Sequence, residues 1–104
     1  MGNKKMAGRL NSEKIIETLK REQAKMKEKG VKKIGLFGSY AKNKQKKKSD
    51  IDILVEFDKI SADNFFGLLF FLEKLFRKNV DLVELKSLRK ELNYVKKEAK
   101  YVKI

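Results

Sequence analysis

Neither cysteine nor histidine occurs in the 104 residues. The first absence excludes a disulfide framework and any thiolate zinc site, and the second removes the commonest general base and metal ligand. Chemistry must then fall to carboxylates, hydroxyls, lysines, backbone amides and a hard cation that prefers oxygen. Proline is missing too, and neither repeats nor linker-like stretches break the succession of elements. The longest apolar-rich segment, Phe65 to Leu72, is too short to span a bilayer, and the N-terminus lacks the apolar core of a signal peptide. Met1-Gly2 opens like a myristoylation site, but Met6 stands where that signal needs Ser or Thr. A cytoplasmic protein without membrane association is expected.

Positive charge, in contrast, is abundant: 27 Lys and Arg against 14 Asp and Glu leave a net charge of +13. Such a field draws polyanions, whether nucleotides, nucleic acid, an anionic membrane surface or an acidic protein. A chain of this length supports one hydrophobic core. Residues 1–10 mix Gly, Asn and Lys without periodicity and read as a flexible basic tail, so the domain is expected over 11–104.

Asn11 or Ser12 can cap a first helix whose Ile15, Ile16, Leu19 and Met26 line one face until Gly30 stops it. From Val31 the period shortens, and Ile34, Leu36 and Phe37 form a strand-like run containing Gly35. A polar connection follows with lysines at 42, 44, 46, 47 and 48. Beyond it Ile51, Ile53 and Val55 alternate with Asp50, Asp52, Leu54 and Glu56, so both aspartates share one strand face and converge. Ser61, Asp63 or Asn64 can cap a helix over 65–78 whose apolar residues nearly encircle it, ending at Asn79. That helix fills the core or turns one face to a partner or a second copy. Val80 to Leu85 reads as a third strand with Asp81 at its start, and Ser87 as the cap of a final helix bearing Leu88, Leu92, Val95 and Ala99, with 101–104 trailing off. Alternation turns Glu84 away from Asp81 toward a lysine, whereas Glu56 shares the aspartates' face but lies two pleats from Asp52 and is expected at the surface.

A helical crossover makes the second and third strands parallel, whereas the shorter connection after Ser39 permits antiparallel pairing or a short helix. An α/β (α+β) domain follows, a small mixed sheet with flanking helices. Asp50, Asp52 and Asp81 would cluster at one end of neighbouring strands. Three such anions either take up a proton or gather a cation. Magnesium suits them, because it commonly sits between one or two carboxylates and substrate phosphates, and two ions can stabilise both oxygens of an in-line displacement. Across the cleft, Gly38 lets the backbone approach a phosphate and Ser39 offers a hydroxyl and an amide, with Lys42 nearby. Neither a P-loop nor a dinucleotide fingerprint is present.

Gly38-Ser39, ten intervening residues, Asp50-Ile51-Asp52 and the later Val80-Asp81-Leu82-Val83 together resemble the DNA polymerase beta-like nucleotidyltransferase superfamily, in particular its minimal nucleotidyltransferase (MNT) branch. The likeness runs from about Val31 to Glu84. It implies the palm-like nucleotidyltransferase fold, phosphate binding by Gly38, Ser39 and Lys42, magnesium at Asp50 and Asp52, and Asp81 completing the metal site and assisting the attacking hydroxyl. The reaction implied is transfer of AMP, or another nucleoside monophosphate, from ATP to a hydroxyl. Many members of the branch are antitoxins beside a HEPN ribonuclease, so the resemblance further implies AMPylation of a tyrosine on such a toxin. One departure stands out: Ala41-Lys42-Asn43 replaces a common Ala-Arg-Gly, exchanging a planar fork for a point charge. Two other readings are a non-catalytic antitoxin that occludes its partner and a basic nucleic-acid-binding module, the latter without an aromatic platform among the lysines.

Overall fold

The computed structural model describes residues 10–104. Apart from Leu10, the basic tail lies outside the described residues. Helix α1 (Ser12–Arg21) starts at Asn11, whose side chain accepts from the Lys14 N–H at 2.9 Å. The single helix expected as far as Gly30 is instead interrupted at Glu22 and resumes as α2 (Gln23–Glu28). Thr18 Oγ1 donates back to the Lys14 carbonyl at 2.8 Å, a contact that bends helices. Ile15, Leu19 and Met26 are nevertheless all buried.

Strand β1 (Val31–Phe37) runs into the short helix α3 (Gly38–Ala41), and β2 (Ile51–Phe57) returns antiparallel to β1. The connection left open by the sequence therefore contains both a short helix and a reversal. Helix α4 (Ala62–Phe76) is capped by Ser61, whose Oγ accepts from the Asn64 N–H at 3.0 Å. It ends at Arg77 in the left-handed region, φ 55°, rather than at Asn79. The crossover then delivers β3 (Val80–Glu84), parallel to β2 as its length requires.

The last quarter departs most from expectation. In place of one helix capped by Ser87 there are two 3-10 turns, Leu85–Ser87 and Lys90–Leu92, and the brief α5 (Asn93–Glu98). Glu84 is the cause of the first turn: buried at 7% exposure, it accepts from the Lys86 N–H at 2.9 Å and from Ser87 Oγ at 3.4 Å. Among the described residues it forms no ion pair with a lysine. The residues expected to trail off form β4 (Lys100–Lys103), which pairs antiparallel with β1 and completes a mixed sheet of order β3-β2-β1-β4.

Alternation gives the sheet two unlike faces. One joins Ile34, Leu36, Ile51, Ile53, Val55, Val80, Leu82 and Val102 to the buried sides of α1, α2 and α4 in a single core. The other carries Gly35, Asp52, Leu54, Asp81, Val83 and Tyr101, whose registers place them side by side across the four strands. Tyr101 lies over Gly35, where an added Cβ would meet its ring at 2.7 Å, and its hydroxyl donates to the Lys96 carbonyl at 2.7 Å. No helix among the described residues is long and apolar enough to cross a membrane.

Candidate active site

Phe37, the last residue of β1, pairs with Asp52 on β2, and Asp52 pairs with Asp81 on β3. The two carboxylates thus stand next to each other on the sheet face opposite the core. A neighbouring backbone bond, Ile51 N–H to the Asn79 carbonyl at 3.1 Å, holds the register at the strand starts. Asp50 lies just before β2 and is exposed.

Gly38 is placed by conformation as well as by space. Its φ is 74°, a left-handed value that disfavours a side chain. A Cβ built there would fall on the Asp52 carboxylate. The turn therefore exists because glycine leaves room for the aspartate. Ser39 follows in α3, whose end is tied by Lys42 and Lys44 N–H groups donating to the Ser39 carbonyl at 3.1 and 2.9 Å. The structure thus brings Gly38, Ser39, Asp52 and Asp81 to one end of the sheet, with Asp50 at its rim. Lys42 is turned elsewhere: its ammonium is 3.8 Å from Glu98, and both side chains are exposed.

Burial first, then the charges of Asp81 and Asp50, push the Asp52 carboxyl up from 3.8 to about 6. A group so placed gains from a cation. Among the described residues, no three carboxylates are gathered closely enough to hold a metal by themselves. The donor set still fits magnesium, which typically takes one or two carboxylates and completes its shell with water and substrate phosphates.

The lysine-rich connection is anchored rather than loose. Lys46 and Ser49 bond each other, N–H to Oγ at 2.8 Å and N–H to carbonyl at 3.0 Å, and Lys78 Nζ donates to the Lys47 carbonyl at 3.2 Å. As a result Lys48, Arg77 and Lys78 border Asp50 in an open cleft of about 580 Å³. No local pattern in the sequence links these cations, because nearly thirty residues separate Lys48 from Arg77. Tyr101 is equally hidden there, since a four-residue strand carries little periodic signal.

The chain belongs to the nucleotidyltransferase domain family, whose model matches residues 12–104, and it is a nucleotidyltransferase of the minimal kind. A relative from Thermococcus cleftensis, the protein adenylyltransferase MntA, is 42% identical over 82 residues, covering 77% of this chain and 83% of its own. A minimal nucleotidyltransferase structure superposes with a TM-score of 0.77 at 25% identity, over 89% of this chain and 97% of that one. A toxin–antitoxin structure with AMP-PNP gives a TM-score of 0.64 at 30% identity, over 88% of this chain and 72% of that one.

Proposed function

We infer that the protein is a magnesium-dependent adenylyltransferase that moves AMP from ATP to a hydroxyl, a tyrosine of a partner HEPN toxin, and thereby acts as an antitoxin. The observation that carries this reading is the register that sets Asp52 beside Asp81, with Gly38 opposite and shaped around the Asp52 carboxylate. The relative named MntA and the toxin–antitoxin match with AMP-PNP support the nucleotide and the type of partner.

In this reading Gly38 and Ser39 seat the phosphates of ATP through backbone amides and the serine hydroxyl. Lys42 contributes field rather than a fixed contact, given its proximity to Glu98. Asp50, Asp52 and Asp81 would hold the magnesium, one or two ions, which supplies Lewis-acid neutralisation of the charge developing on the transferring phosphoryl group. The acceptor hydroxyl attacks the α-phosphorus, a new P–O bond forms, the bond to the β-phosphate breaks and pyrophosphate leaves. Asp81, beside the point of entry, takes the acceptor's proton. On the outer side of α4, Phe66 and Phe70 are 51% and 62% exposed, an apolar surface of the kind a protein partner covers.

The test is incubation with labelled ATP, magnesium and the partner toxin. Label should enter the toxin with wild type and fall by roughly 10²-fold or more with Asp52→Asn or Asp81→Asn. Equal labelling by these variants would refute the site. Protection from the toxin that survives them would instead favour neutralisation by binding alone.

A further inference from the structure

The open cleft beside Asp50 draws its cations from two elements. Lys48 closes the lysine-rich connection, while Arg77 and Lys78 end α4. Their spacing is fixed by the fold, since Lys78 Nζ bonds the Lys47 carbonyl at 3.2 Å. Two carboxylates, Asp50 and Glu73, share the cleft with three cations, and Glu73 accepts from the Val80 N–H at 3.1 Å. Among the described residues, neither Lys48 nor Arg77 is in an ion pair.

Arg77 is also an unusual residue for its place. It adopts φ 55°, ψ 40° and donates its N–H to the Glu73 carbonyl to end the helix. Glycine takes that conformation freely, whereas a β-carbon is strained there. A cation for the helix C-terminus is already present in Lys74. Neither helix termination nor the helix dipole calls for an arginine at 77, and strain retained beside a site points toward function.

Position indicates what the cleft would serve. Strand order puts the Gly38-Ser39 turn on the β1 side of Asp52, and Asp81, Asn79 and Arg77 on the β3 side. Attacking and leaving oxygens lie in line across a transferring phosphoryl group. With the nucleotide's phosphates on the turn, the acceptor enters from the β3 side, past this cleft. We propose that Lys48, Arg77 and Lys78 form a second phosphate subsite on the acceptor side, taking the phosphodiester of a nucleotide already transferred to the acceptor, next to the ribose hydroxyl that attacks in a further round. Arg77 supplies a fork of parallel N–H donors and the lysines supply charge. The orientation rests on the adenylyl-transfer reading, whereas anion binding by the cleft does not.

The probe is AMP, titrated calorimetrically into the full chain already saturated with AMP-PNP and magnesium, with adenosine as the uncharged control. AMP should bind and adenosine should not. Arg77→Gly should weaken AMP by about tenfold or more, the loss expected of a charge-assisted hydrogen bond, with AMP-PNP affinity retained and the melting temperature equal or higher. Lys48→Ala should weaken AMP without touching the helix end. AMP affinity unchanged in both variants would overturn the subsite, as would adenosine binding as well as AMP does. A parallel loss of AMP-PNP affinity would assign the cleft to the nucleotide's own phosphates and overturn the acceptor role. Because binding and not turnover is measured, these outcomes decide the role of the cleft even if the wild-type protein transfers no label.

Discussion

At Asp52 burial and the neighbouring charges of Asp81 and Asp50 act in one direction, raising the carboxyl from 3.8 to about 6. Between those values the native protein holds a proton that the unfolded chain has released. This group's contribution to stability is therefore greatest below 3.8, declines as pH rises through the window and is lowest above about 6. Asp52→Asn should accordingly raise the melting temperature of metal-free protein at neutral pH while removing transfer. Discounted for a half-exposed group, the gain is about 1 kcal/mol, or roughly 4–8 °C for a domain of this size. It should shrink as pH falls through the window, and an unchanged melting temperature at neutral pH would refute the cost of holding this partly buried charge beside Asp81 and Asp50. Gly38 makes the complementary case, because both its φ of 74° and the adjacent carboxylate exclude a β-carbon. Gly38→Ala should cost about 1–3 kcal/mol in urea unfolding and abolish transfer, whereas a variant as stable and active as wild type would show that the turn is not shaped around Asp52.

Among the elements, α4 divides its apolar residues between two roles. Leu68, Leu72 and Phe76 enter the core, while Phe66 and Phe70, stacked with ring centroids 6.3 Å apart, stay outside. Replacing both exposed rings with serine should leave stability within about 0.5 kcal/mol, since no core contact is lost, and should weaken association with the proposed partner toxin in a pull-down or calorimetric titration. Undiminished association would move the interface elsewhere. At the other end of the chain, β4 owes its existence to β1. Lys100–Lys103 has too few residues to declare a strand locally, yet Gly35 leaves space for the Tyr101 ring and the edge of β1 supplies its hydrogen bonds. Lys33 adds a cation 4.6 Å from the centre of that ring.

Over the whole molecule, the net charge of +13 generates a field that anions meet before any specific contact. Association of AMP-PNP should slow by roughly tenfold between about 10 and 150 mM salt, as screening shortens the Debye length from roughly 30 to 8 Å. Stopped-flow rates independent of salt would remove steering from the account. Much of this molecule was legible in the sequence: the Gly38-Ser39 turn, the alternation that displays Asp52, and the helical crossover that makes β2 and β3 parallel. Each depends on local periodicity, a conformational demand of one residue or the length of one connection, and such properties travel with the chain. Other features were decided by tertiary structure alone. Glu84 turned inward to cap its own 3-10 turn, β4 formed against a distant edge, and Lys48 came to rest beside Arg77 and Lys78. The strand and the cation cluster draw their energies from partners tens of residues away, and the burial of Glu84 depends on the sheet around it, so no local window of sequence contains them.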